Sequence, residues 1–179
     1  AYAKANPGKL NYGSIAVGAT QHLGTELLKS IAGINLVHVP YKGGVATITA
    51  LISGEAHVLI SDVGLASPHT KSGKLRAIAV TSATPSALAP GLPTVAADLP
   101  GFEVVGATGI WAPTKTPAAI INRLHQEISR GLNRADAKEK FFNSGAEVVA
   151  STPEQFATTI KSEMATFGKV IKDAGITVN

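Results

Sequence analysis

The chain has 179 residues, 45% of them hydrophobic and 16% charged, with a net charge of +4 and no cysteine. That length holds one domain or two small lobes, and the missing cysteines exclude disulfides and thiolate metal sites. Lysines and arginines are scattered among only five Phe, three Tyr and one Trp, which argues for a mildly basic solvated surface and against a nucleic-acid partner.

The chain starts Ala1-Tyr2-Ala3-Lys4, without an initiating methionine or a secretory leader pattern, and is expected to be a processed or truncated piece. No apolar run in it approaches the roughly 20 residues needed to span a bilayer. Leu10 to Leu23 then predicts a short strand, a loop of small residues and the start of a helix. Leu23, Leu27 and Ile31 recur every four residues and give that helix one apolar stripe. Gly18 and Ala19 carry no bulk, and Thr20 stands where it can cap the first turn. A strand feeding a helix through such a loop exposes backbone N–H groups at the positive end of the helix dipole, which makes an anion receptor from main chain alone.

A nucleotide loop is the obvious misreading. A P-loop needs Lys and Ser/Thr directly after its last glycine, and here Ala19-Thr20 follows Gly18. Gly13 and Gly18 are too far apart for the G-x-G-x-x-G dinucleotide pattern. Without a lysine to meet a polyphosphate, the loop suits a smaller anion such as a carboxylate. An ordinary packing turn is the commoner use of such a loop in α/β proteins.

Further along, Leu36 to Val39 predicts a strand, Thr47 to Ile52 a helix stopped by Gly54, and His57 to Ile60 another strand. Ala66 to Ser72 predicts a helical segment ending at Gly73, and Leu75 to Thr81 a further strand. Strands separated by helices imply parallel βαβ units, whose ligands collect at the carboxyl ends of the strands. Pro85 to Gly101, with four prolines, is expected to be a connecting loop, and Phe102 to Trp111 a long extended segment. The remainder is mostly helical. Thr116-Pro117 sets a cap before a proline at the first helical position, and Ile120, Leu124, Ile128 and Leu132 form a stripe. Thr152-Pro153-Glu154-Gln155 has capping-box spacing, and Phe156, Ile160, Met164, Phe167 and Ile171 line one face of a long helix ending at Gly175.

Enzyme signatures are lacking. There is no G-x-S-x-G elbow, no H-E-x-x-H and no thiol nucleophile. His22, His38, His57, His69 and His125 have no metal-ligand spacing, so neither metal nor cofactor is expected. A site assembled from distant residues stays open, since triads are not announced by spacing.

The quoted stretches also carry a resemblance. Ala5-Asn6-Pro7-Gly8-Lys9-Leu10-Asn11-Tyr12-Gly13-Ser14 is similar to the start of the second lobe of the tripartite tricarboxylate transporter substrate-binding receptors, the TctC or Bug family. His38-Val39-Pro40-Tyr41-Lys42-Gly43-Gly44, Gly73-Lys74-Leu75-Arg76-Ala77-Ile78-Ala79-Val80-Thr81-Ser82, Leu92-Pro93-Thr94-Val95, Pro100-Gly101-Phe102-Glu103 and Thr116-Pro117 follow in the same order. The resemblance runs over essentially the whole chain.

It implies an α/β, type II periplasmic-binding-protein-like lobe, with a parallel-rich sheet flanked by helices, followed by C-terminal helices belonging to the other lobe. Residues 1–102 would be the second lobe, 103–115 a crossover strand and hinge, and 116–179 the helices that complete the first lobe in an N-terminally truncated receptor. The implied function is non-covalent capture of a small carboxylate in the bacterial periplasm, passed to transporter membrane subunits. Carried over by position, Ser14, Gly18, Ala19, Thr20, His22, Tyr41 and Asp62 are the candidate ligand-binding residues.

Several have a plainer role beside the ligand role. His22 suits packing in the first helical turn better than ligand contact, and Asp62 fits a helix cap as well as a ligand contact. Lys42 is an anion partner on paper, but a snorkelling surface lysine is the commoner outcome. Several positions depart from the family pattern: Ala19 removes a hydroxyl after Gly18, Ala46 stands where proline is common, and Ala107 and Thr108 stand where the crossover segment usually carries aromatic residues. Two other classes stay open, an α/β enzyme or regulatory domain binding a phosphorylated ligand, and a ligand sensor for a signalling partner. If the C-terminal stripes lack their partner strands, Phe156, Ile160 and Met164 are exposed and the chain is expected to form a homodimer or aggregate.

Overall fold

The computed structural model describes residues 1–177. A short helix α1 (Tyr2–Ala5) leads into strand β1 (Asn11–Ser14), helix α2 (Thr20–Ala32) and strand β2 (Val37–Pro40). β1 and β2 are parallel, with Tyr12 opposite His38 and Ser14 opposite Pro40. Two four-residue strands joined by a 13-residue helix make the predicted βαβ unit. Helix α3 (Gly44–Ser53) follows, ending at Gly54 as its sequence signals, and α4 covers Val63–Lys71.

The predicted strand at His57 to Ile60 forms a single parallel bridge, Tyr12 to Val58. It is anchored by the His57 and Val58 amides donating to the Asn11 carbonyl and the Gly13 amide donating to Val58. It lies on the free edge of β1, so the segment order is β2, β1, then 57–60. The predicted strand Leu75 to Thr81 likewise contracts to a single parallel bridge, between Val80 and Thr94. Within it Val80 is buried while Ile78 is exposed. The Pro85 to Gly101 connection contains one short helix, α5 (Val95–Asp98), capped by the Thr94 hydroxyl accepting from the Ala97 amide. Phe102 to Trp111 carries no ladder beyond the Val104 amide donating to the Thr81 carbonyl. A strand needs a neighbour to complete its hydrogen bonds, and these segments have one only at isolated points.

Three helices follow: α6 (Ala118–Leu132), α7 (Ala135–Asn143) and α8 (Pro153–Asp173). The predicted cap of α6 shifts by one residue, since Pro117 rather than Thr116 occupies the cap position. α8 has the predicted capping box, with Thr152 Oγ1 accepting from the Gln155 amide and Gln155 Oε1 accepting from the Thr152 amide.

The buried core is Tyr12, Leu36, Ile48, Ala50, Ala56, Val80, Phe102 and Val104, joined by Val170 from α8. α2 and α3 pack on β1, and α8 lies along α2. The start of α4 meets the end of α7 at Gly64, where an added Cβ would collide with the Ser144 carbonyl; only glycine allows that approach.

Candidate functional site

Parallel pairing brings three chain segments to one carboxyl edge: Ser14 ends β1, Tyr41 follows β2, and Ser61-Asp62 follows the bridge at Val58. Three helices begin beyond that edge. The cap positions of α2, α3 and α4 are Ala19, Gly43 and Asp62, and none of them makes a side-chain cap hydrogen bond. The partial positive charge of each first turn is therefore left for another acceptor.

The loop between β1 and α2 is held from below. Ser14 is fully buried, and its hydroxyl donates to the Ala16 carbonyl at 2.9 Å while lying 2.7 Å from His38 Nε2. At the other end, the Gly18 amide donates to His22 Nδ1 at 2.9 Å. Gly18 has φ +79, in the left-handed region, which turns the chain into Ala19 and the helix. The Ala19 amide donates to the Ala16 carbonyl at 3.3 Å. Thr20, expected as the cap, is instead the first helical residue, with an exposed side chain. The first intrahelical bond is from the Leu23 amide to the Ala19 carbonyl. The amides of Thr20, Gln21 and His22 make no hydrogen bond among the described residues.

Beneath the loop the aromatic rings form a stack. His22 and His38 lie 3.9 Å apart between centroids and are parallel within 8°, with Tyr12 4.9 Å from His38. The Tyr12 hydroxyl donates to Glu26 Oε1, which also takes Lys29 Nζ at 2.6 Å. Burial, followed by the facing His22, holds the His38 pKa down to about 4. Burial also lowers that of His22, against the opposing pull of Glu26. Burial and the Glu26 carboxylate push Tyr12 upward, so its hydroxyl stays protonated.

Ser14 and His22 thus face the interior and support the loop, while Ala19 and Thr20 lie at its outer lip. The Gly18 amide is occupied by His22. Tyr41 crosses the sheet on the face opposite Tyr12: a Cβ on Gly13 would lie 3.3 Å from its ring. Its hydroxyl is buried and makes no hydrogen bond among the described residues, and burial, followed by the neighbouring Glu55 carboxylate, raises its pKa. Asp62 is exposed at the start of α4.

Three participants lay outside the sequence reading. His38 meets His22 through the register of β1 and β2 and the packing of α2 on β1, a contact no spacing rule signals. Gln21 Oε1 is buried without a partner among the described residues and adjoins the loop. Gly43-Gly44 before an apolar helix was the legible signal for a second uncapped helix start. Among the described residues no group of three or more His, Asp or Glu could hold a metal.

The fold is α/β and periplasmic-binding-protein-like, and the solved structure of a periplasmic binding protein shares it. The chain belongs to the tripartite tricarboxylate transporter receptor family, whose sequence profile matches residues 1–176. It is 34% identical, over 99% of its length and 53% of the relative's, to the UPF0065 protein in the tcbD-tcbE intergenic region of Pseudomonas sp. (strain P51). It matches the structure of R. palustris Rpa4515 with adipate at 34% identity and TM-score 0.85, covering 98% of this chain and 59% of that one. The structure of the periplasmic binding protein BugD matches at 30% identity and TM-score 0.80, covering 98% and 60%. The chain thus spans little more than half the length of these relatives.

Proposed function

We propose that this chain supplies one lobe of an extracytoplasmic receptor that captures a small carboxylate without turnover for a tripartite transporter. The single observation that carries the reading is the shared edge, where α2, α3 and α4 all begin without a side-chain cap. A carboxylate seated there accepts from the Thr20 and Gln21 amides and the Thr20 hydroxyl, at the favourable end of the helix dipoles. Ala19 offers backbone only. The similarity to a structure with bound adipate favours a dicarboxylate.

Residues 1–102 act in this reading as the second lobe and 103–115 as the hinge, with α6 to α8 completing the opposite lobe. Trp111, 70% exposed on that hinge segment, is the chain's single tryptophan and a built-in reporter of closure. In the same reading, the exposed apolar faces of α6 and α8 are where two copies of this chain associate.

The test is adipate titration by calorimetry, read alongside Trp111 fluorescence, with Thr20→Pro as the variant. Ala19 is already extended and Thr20 is the first helical residue, where proline is tolerated, so the variant folds while losing one amide and one hydroxyl. Saturable binding without product, weakened about tenfold or more in Thr20→Pro, supports the reading. Equal affinity in the variant, or conversion of the ligand, overturns it.

A further inference from the structure

We propose that His22 is a positioning residue for the β1–α2 loop, holding the Gly18 amide through a neutral imidazole so that the outer amides stay aimed at an anion. The proposal rests on reading that loop as the binding site.

The hydrogen-bond logic assigns the tautomers. The Ala16 carbonyl can only accept, so the single Ser14 hydroxyl proton goes to it, and His38 must donate to Ser14 through Nε2–H. Gly18 N–H can only donate, so His22 Nδ1 must be bare and its proton sits on Nε2. The bare Nδ1 leaves His22 neutral, and burial together with the facing His22 keeps His38 neutral above about pH 4. Ser14 and His22 pin the loop at its two ends, and the stacking of His22 on His38 joins the two pins into one unit.

The position of His22 explains why this residue type serves. It is the third residue of α2, the place held in α8 by Gln155, whose side chain accepts the Thr152 amide at 2.9 Å. His22 does the same work one residue further out, for Gly18. A glutamate there would satisfy the amide but add a negative charge in the first turn, against an incoming anion. A neutral imidazole supplies the acceptor without the charge. The groups facing it are Tyr12 from β1, His38 from β2, and Glu26 and Lys29 from α2 itself. Glu26 is already engaged by Tyr12 and Lys29. Protonating Nδ1 would turn the acceptor toward Gly18 into a second donor and break the pin.

The experiment uses the ¹⁵N-labelled chain and adipate as the probe. Expected are an Nε2–H tautomer for His22, slow exchange of the Gly18 amide, and a Gly18 amide resonance that moves with the acid titration of His22. His22→Ala should free the Gly18 amide to exchange and raise the adipate Kd about threefold to tenfold, the worth of one hydrogen bond. His22→Asn, whose Oδ1 stands where Nδ1 stood, should restore both. An Nδ1–H tautomer overturns the proposal, as does unchanged Gly18 exchange in His22→Ala. So does a His22→Asn protein that matches the wild-type melting temperature yet stays as weak as His22→Ala. If adipate does not bind the wild type at all, the ligand reading fails, and the tautomer and Gly18 exchange still decide whether His22 holds the loop.

Discussion

Residues 1–104 and the last sixty both carry regular helices, yet they differ in what they bury. Tyr12, Leu36, Ile48, Phe102 and Val104 close a core around β1, whereas α6 and α7 bury no residue and α8 buries only Val170. The stripe of α6 is present, but Ile120 and Leu124 are about half exposed, at 50% and 47%, and Met164 on α8 is 69% exposed. Helix formation is a local matter of caps and side chains one turn apart. Burial is not local. An amphipathic stripe therefore states a demand for a partner without saying that the partner is present.

Stability measurements can break that contrast. Phe102→Ala removes a fully buried ring and should cost about 3–5 kcal/mol in urea unfolding. Met164→Ser on the exposed face of α8 should stay within about 0.5 kcal/mol when unfolding is measured at a dilution where the chain is monomeric. It should also lower the apparent mass in light scattering if that face joins two copies. Comparable losses at both positions would mean that α8 is covered in solution.

Acid should act on the first region and spare the second. His22 and His38 are held neutral in the folded chain, His38 down to about 4, while the unfolded chain titrates near 6.5. Between those values the unfolded state binds more protons, so the stabilisation is present in full above pH 6.5 and is lost as pH falls toward 4. The melting temperature should drop across that window, and the drop should shrink in His38→Gln. A flat profile would count against the stacked pair.

The smallest expected effect sharpens the same comparison from the other side. Thr152→Ala deletes one half of the α8 capping box and should cost about 1 kcal/mol of helix stability. Because α8 lies along α2 with a single buried residue, that loss should appear as fraying in amide exchange at residues 153–157, with the core melting unchanged. A cooperative loss reaching β1 would show the two regions to be one folding unit.

Local chemistry in the sequence determined a good deal of this protein. The period of Leu23, Leu27 and Ile31, the stop at Gly54, the capping box at Thr152 and the stripe from Phe156 to Ile171 are interactions within one or two turns. The family followed from ordered stretches along the whole chain. α7 escaped notice because Lys138-Glu139-Lys140-Phe141-Phe142 has no clean apolar period. Only the tertiary structure decided the rest. His57 to Ile60 and Leu75 to Thr81 are apolar enough for strands, yet a strand exists only where a neighbour completes its hydrogen bonds, and each found one bridge. Thr20 lost the cap position to Ala19 by one residue of helix phase. His22 and His38 stand sixteen residues apart in sequence and meet because Tyr12 pairs with His38 across the sheet and α2 packs back on β1. Residue spacing carries no trace of that meeting, since it depends on strand register and helix packing together. It is also what turns a small-residue loop into one pinned at both ends.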